Sequence, residues 1–198
     1  MSIAERKGRQ RAEREQRIIA AARVIAEREG WDAVTIRRLA DEIEYSQPVL
    51  YSHFENRDAI VAAVAVEGFR EMAVDLREAV RGSAGRRKAV TNVAMAYLGF
   101  ALRYPALYDA MFVLPTGLRF AAAETRPELH AAFEALSAAV TPFCVDVAVA
   151  TETFWAALHG LTVLERSGRI RPSARVERIT LVVRALTVSR NSSPARGS

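Results

Sequence analysis

The sequence predicts an all-α protein, and three observations predict it. Chain breakers are sparse, with 10 Gly and 7 Pro in 198 residues, while alanine, the best helix former, is abundant. Apolar residues return every three or four positions in segment after segment. No stretch alternates convincingly as a strand does, and no internal repeat stands out.

Composition bounds the rest. Apolar residues make up 51% of the chain, ample for a buried core. The single cysteine, Cys144, forms no intrachain disulfide, so nothing points to an oxidising compartment. The charged start lacks a signal-peptide stretch. No run approaches the roughly 18 apolar residues of a membrane span; the longest weakly polar stretch, Val140 to Ala150, is interrupted by Pro142 and Asp146. The expectation is a soluble cytoplasmic protein without a membrane partner. The net charge is +5, but residues 1–58 balance 11 basic against 11 acidic groups. Placement, rather than the total, must argue for nucleic acid. Residues 1–17 form a basic N-terminal arm with Arg6, Lys7, Arg9, Arg11, Arg14 and Arg17. Such an arm either contacts phosphates or is a solvated terminus.

The elements follow in order. A first helix is predicted from about Glu13 to Glu29, with Ile18, Ala21, Ala22, Ile25 and Ala26 on one face and Gly30 as its C-terminal cap. A short helix over Ile36 to Ile43 has Thr35 as N-cap and Ile36, Leu39, Ala40 and Ile43 inward. After a turn at Glu44–Tyr45, a second short helix runs from Gln47 to about His53. Ser46 caps it, Pro48 is tolerated in its first turn, and Leu50 and Phe54 face inward. Asn56 caps a long helix from Arg57 to about Val80, which the Gly82–Gly85 break ends. Further helices are expected at Arg87–Arg103, Pro105–Phe112 and Pro127–Val140, then one through Phe154, Trp155, Leu158, Leu161 and Leu164, and a last at Ala174–Val188. Residues 189–198 are a polar tail expected to be disordered.

The chemistry concentrates between Thr35 and Asp58. Two short helices joined by a tight turn form a helix-turn-helix. The second is too short to be stable alone, and its outer face carries Gln47, Val49, Tyr51, Ser52 and His53. Such hydrogen-bonding and apolar groups suit base edges in a major groove. Arg37 and Arg38 sit in a first helical turn, where the helix dipole disfavours cations and a phosphate would compensate; Arg57 repeats the pattern.

This segment, from about Ile18 to Ala65, resembles the DNA-binding domain of the TetR family. The matching residues are Gly30, Thr35, Ile36, Ala40, Ser46, Leu50, Tyr51, His53, Phe54, Arg57 and Ile60, with Leu50 to Phe54 the most specific part. The resemblance implies that Tyr51 and His53 dock on the DNA backbone, that Thr35 and Arg57 touch phosphates, and that Gln47, Pro48 and Val49 face bases. The family usually has Gly where Glu44 stands, so a positive φ there would be strained. Pro48 and Val49 reduce hydrogen bonding, which shifts specificity toward Gln47, thymine methyls and DNA shape.

The resemblance pairs a helix-turn-helix domain at residues 13–65 with a larger helical ligand-binding and dimerisation domain at 66–188. The segment from Trp155 to Leu161 and the one from Tyr104 to Phe112 look like a subfamily marked by a Trp–His–Gly motif. Trp155 and His159 share a helix face, either beside a ligand cavity or as a packed core pair. Tyr97, Tyr108, Met111, Phe112 and Phe143, with Cys144, are the other candidate lining residues. The last two helices carry Leu161, Leu164, Ile179, Val182, Val183 and Leu186, which the resemblance implies form a four-helix homodimer seam. Two-fold symmetry then places two readers on a pseudo-palindromic operator. The implied partners are duplex DNA, an unidentified small-molecule effector and a second copy.

The rival classes are an enzyme and a helical ligand-binding or adaptor protein with a degenerate reader. His53, His130 and His159 have no metal-ligand spacing, and no phosphate loop or serine elbow is present. No catalytic residue, metal or cofactor is expected. Glu44 and the neutral first 58 residues favour the adaptor among these rivals.

Overall fold

The computed structural model describes residues 2–118 and 126–188. The predicted tail at 189–198 lies outside the described residues, which contain nine α-helices and no strand.

α1 spans Ile3–Glu29, ten residues more than its apolar periodicity predicts. Ser2 and Glu5 explain the early start as a reciprocal capping box: the Ser2 hydroxyl accepts the Glu5 amide at 3.2 Å, and the Glu5 carboxylate accepts the Ser2 amide at 2.6 Å. The basic arm is therefore helical from Ile3. Its first half buries nothing; Ile18, Ile19, Ala22, Ile25 and Ala26 form the buried stripe of its second half. Gly30 ends it at φ 86°. A 3₁₀ turn at Trp31–Ala33 leads to α2, Ile36–Glu42, and α3, Gln47–Tyr51. α3 stops two residues before the predicted His53. α4 spans Arg57–Arg81, α5 Arg86–Arg103, α6 Pro105–Phe112 and α7 Pro127–Val140. After a 3₁₀ turn at Thr141–Phe143, α8 spans Val147–Arg166 and α9 Arg175–Thr187.

The chain divides into two units, residues 1–71 with 100–130 and residues 72–99 with 131–198, so the boundaries fall inside α4, α5 and α7. In the first unit α1, α2, α3, α4 and α6 surround Ile18, Ile25, Leu39, Leu50, Ile60, Phe69 and Tyr108, all essentially inaccessible. α4 approaches α6 closely at Gly68, where a Cβ would lie 2.6 Å from Met111 Sδ and 2.9 Å from Leu107 Cδ1. In the second unit Val90, Val93, Tyr97, Phe154, Leu158, Ile179 and Val183 form the core.

By length and composition alone, α8 is apolar enough to cross a membrane, a test that a helix packed in a core also passes. Its hydropathy comes from scattered Ala, Val and Leu rather than a continuous run, which is why counting uninterrupted apolar residues passes over it. Its buried side, Thr151, Phe154, Leu158, Thr162 and Glu165, is partly polar. Glu165 is tied to Arg175 and, at 2.8 Å, to Arg178. The Arg175 hydrogen bond, opposed by burial, holds its carboxyl below the usual range.

Candidate nucleic-acid interface

The helix-turn-helix begins at Thr35, whose hydroxyl accepts the Arg38 amide at 3.1 Å and so starts α2. α2 ends in a Schellman turn: the Tyr45 amide reaches back to the Ala40 carbonyl at 2.9 Å. That closure puts Glu44 in the left-handed region at φ 57°, the only positive φ of a non-glycine among the described residues. Ser46 precedes α3, but its side chain makes no capping bond.

α3 has one fully buried residue, Leu50, which points at the core. Gln47, Pro48, Tyr51 and Ser52 are exposed, Tyr51 by 54%. Val49 is half-buried. The Ser52 hydroxyl donates to the Val49 carbonyl at 2.7 Å and closes the helix. His53 turns away from the exposed face. Only 4% of its side chain is accessible, and Nδ1 sits 3.2 Å from Glu15 on α1. Arg11 pairs with the same Glu15 oxygen at 3.0 Å and donates from Nη2 to the Ser52 carbonyl at 3.2 Å. Thus α1 clasps the C-terminal end of the reading helix through three polar side chains.

The predicted phosphate contacts have different placements. Arg37 is exposed. Arg38 reaches Glu29 at 3.3 Å and Glu42 at 3.7 Å. Arg57 spends two donors inside the chain, Nε on the Val34 carbonyl at 2.8 Å and Nη2 on the Trp31 carbonyl at 2.6 Å. It fixes the segment leading into Thr35, where sequence reasoning saw a dipole-opposed cation awaiting a phosphate. Asn56 caps α4 by accepting the Ala59 amide at 2.9 Å.

Sequence reasoning missed a second anchor on α1. Glu27 accepts the Ala106 and Leu107 amides at 3.1 and 3.0 Å, two first-turn N–H groups of α6 that have no intrahelical partner. Trp31 Nε1 donates to the Ala106 carbonyl at 2.7 Å. Arg23 pairs with Glu71, and its guanidinium lies 4.8 Å over the Tyr104 ring. No local spacing signals these contacts, because their partners lie 48 to 81 residues away.

The predicted ligand-lining residues divide between the units. Tyr108, Met111 and Phe112 belong to the first, where Phe112 meets Tyr108 at 4.8 Å and Phe69 at 5.2 Å between ring centroids. Tyr97, Phe143, Trp155 and His159 belong to the second. There Trp155 Nε1 donates to the buried Tyr97 hydroxyl at 3.1 Å. Burial pushes His159 below the ordinary histidine range. An open groove of about 650 Å³ in the first unit is lined by Arg23, Val24, Glu27, Arg28 and the segment 102–105, none of them a predicted lining residue.

Of the predicted dimer residues, Leu164 is exposed and Leu161, Val182 and Leu186 are half-buried. Ile179 and Val183 are 1% and 3% exposed, so the chain's own core already covers them. They lie on the α9 line that continues to Thr187; the exposed large apolar residues of α9 are Val176 and Leu181. Apolarity alone does not separate these two sides.

Comparison with known proteins gives two family matches. Residues 18–64 match the description "bacterial regulatory proteins, tetR family", and residues 90–186 match "tetracyclin repressor-like, C-terminal domain". Neither description singles out the Trp–His–Gly subfamily. An uncharacterized HTH-type transcriptional regulator of Mycobacterium tuberculosis is 30% identical over 158 residues, 76% of this chain and 69% of that protein. One from Bacillus subtilis is 32% identical over 93 residues, 47% of this chain and 48% of its own length. Among solved structures, a Rhodococcus protein of unknown function has a TM-score of 0.70 at 24% identity, over 87% of this chain and 92% of that one. The TetR protein of Acinetobacter baumannii in complex with minocycline has a TM-score of 0.61 at 20% identity, over 86% and 92%.

Proposed function

The chain belongs to the TetR family of bacterial transcriptional regulators, and from that premise we propose that it is a ligand-responsive repressor that binds a pseudo-palindromic operator as a homodimer in the cytoplasm. The observation that carries this is α3, a helix of five residues that buries Leu50 and exposes Gln47, Pro48 and Tyr51, with Ser52 exposed at its end. A helix that shows most of its surface to solvent is suited to a groove.

In this reading residues 13–65 are the reader and 66–188 the ligand-binding and dimerisation domain. Gln47, Pro48 and Val49 face bases, and Tyr51, Ser52, Thr35 and Arg37 meet the backbone. His53, Arg57 and Arg38 are positioning residues, because their polar groups are engaged within the chain. Support for an effector comes from the match to the tetracyclin repressor-like C-terminal domain and from the minocycline complex of the Acinetobacter relative. Tyr97, Trp155 and His159 lead the lining set. Leu161, Leu164, Val182 and Leu186, with Val176 and Leu181, form the seam between copies. An effector shifts the balance between two conformations only by its differential affinity for them, and α4, which runs from the reader into the second unit, is the element that carries the shift.

The test is a titration against the DNA flanking the protein's own gene, and against random duplex, at two salt concentrations. Tight, sequence-selective binding that Tyr51→Ala weakens about tenfold or more is expected. Equal affinity for every duplex overturns the proposal.

A further inference from the structure

The first four turns of α1 precede the matched reader segment at residues 18–64, yet they are helical and seated on the reader. Besides the Glu15–His53 pair, two hydrogen bonds seat them. Arg11 donates to the Ser52 carbonyl at the end of α3, and Arg17 Nη1 reaches the Tyr45 hydroxyl in the turn before α3 at 3.5 Å. These contacts place one side of α1 along the edge of the reading helix.

That side is electrostatically one-signed. At 100° per residue, Lys7, Gln10, Arg14 and Arg17 fall within about 80° of one another, with Arg11 at the margin. All of them are exposed. The acidic residues of the same turns lie elsewhere. Glu5 projects from another side, Glu13 borders the stripe about 40° beyond Arg17, and Glu15 is taken up by Arg11 and His53. The other charges of these turns alternate at i, i+4, as Glu5–Arg9–Glu13–Arg17 and Arg11–Glu15 do; Lys7 and Arg14 have no acidic residue three or four positions away, an arrangement beside a groove-reading helix that serves a partner of uniform negative charge.

We infer that the Lys7–Gln10–Arg14–Arg17 stripe of α1 is a second DNA contact, gripping duplex phosphates beside the groove that α3 enters. The inference rests on the DNA-binding reading above. The stripe adds affinity without sequence preference, since phosphate contacts position a protein but carry no base information. It also extends the protected backbone beyond the bases that α3 touches.

The experiment uses the full chain and a duplex that the native chain selects from random DNA. Binding is measured from low to moderate salt for the native chain and for Lys7→Gln with Arg14→Gln. A charge-matched control, Arg81→Gln with Lys88→Gln, removes two cations from the second unit. Glutamine keeps helix propensity, and thermal melts check that all three fold alike. Each lost phosphate contact lowers the salt slope by about 0.9, so two per protomer lower it by about 3.6 in a dimer. The stripe variant is expected to show that fall, an affinity deficit that deepens on the order of a hundredfold as salt falls from about 200 to about 50 mM, and unchanged preference for the selected duplex over random DNA. A slope equal to that of the native chain overturns the stripe and leaves the reader standing. An equal fall in the control overturns it in favour of diffuse attraction. Failure of the native chain to select any duplex removes the DNA-binding reading, and the stripe with it.

Discussion

α3 and α6 are both short helices that α1 helps to hold, and they are held in opposite ways. α6 has eight residues, of which Ala106, Leu107, Tyr108, Ala110 and Met111 are buried, and the Glu27 carboxylate caps its first turn. α3 has five residues and one that is buried, Leu50; Arg11, Glu15 and His53 clasp its far end from outside. α6 is held mainly by burial, and its polar anchor adds alignment. α3 gives up burial to display its surface, so one side chain and a polar clasp carry what burial carries elsewhere. A helix that must present itself to a partner is held by its neighbours, not by its own core.

The strongest test of this contrast is Leu50→Ala. Its loss is expected to cost about 2–5 kcal/mol, the range for emptying a buried leucine site, read as a lowered urea midpoint. A cost below about 1 kcal/mol would break the claim that α3 hangs on this residue. Next comes Glu27→Ala, which leaves two first-turn amides of α6 without an acceptor and is expected to cost about 1–3 kcal/mol. Glu27→Gln, which still offers one oxygen, should recover part of it. Arg11→Ala, by contrast, removes a contact of a side chain that is 60% exposed and is expected to cost less than about 1 kcal/mol of stability while weakening DNA binding. Equal stability losses for Glu27→Ala and Arg11→Ala would erase the difference between the two anchors.

Glu44→Gly sharpens the comparison in the stabilising direction. A non-glycine residue in the left-handed region costs roughly 1–2 kcal/mol, partly offset by the backbone entropy that glycine loses on folding. A net gain of up to about 1 kcal/mol is expected in the same melts. The smallest effect lies in the second unit. Burial depresses the His159 pKa, so the unfolded chain binds the proton more readily. Stability is therefore fully present above the unfolded value of about 6.5 and is lost as pH falls through the lower folded value. His159→Gln should flatten that slope between pH 7.5 and 5.5.

The parts of this fold that bury apolar side chains at regular spacing were legible. Leu50, the stripe of α1 from Ile18 to Ala26, and the bounds of α6 and α7 follow directly from periodicity and breakers. Residues 3–12 escaped it because they bury nothing, although Ser2 and Glu5 carried a usable capping signal. Gln47, Tyr51 and Ser52 were legible as exposed for the same reason that Leu50 was legible as buried, whereas Val49 and His53, expected outward with them, are half-buried and covered respectively. The roles of His53 and Arg57 were not, because a polar side chain's partner is set by tertiary placement: Glu15 lies 38 residues from His53, and the Trp31 carbonyl 26 from Arg57. Ile179 and Val183 show the converse limit, since apolar spacing on α9 marks covered positions without saying which chain covers them.

α1 is one unbroken helix of 27 residues, and its two anchors sit far apart along it. Arg11 and Glu27 are separated by about 24 Å at 1.5 Å of rise per residue. The helix is thus a lever arm with the first turn of α6 at one end and the last turn of α3 at the other. A tilt of about 5° pivoted at Glu27 carries Arg11 sideways by about 2 Å over that length. An angular change too small to disturb the core around Ile25 becomes a linear displacement several times the tolerance of a hydrogen bond at the end of the reading helix.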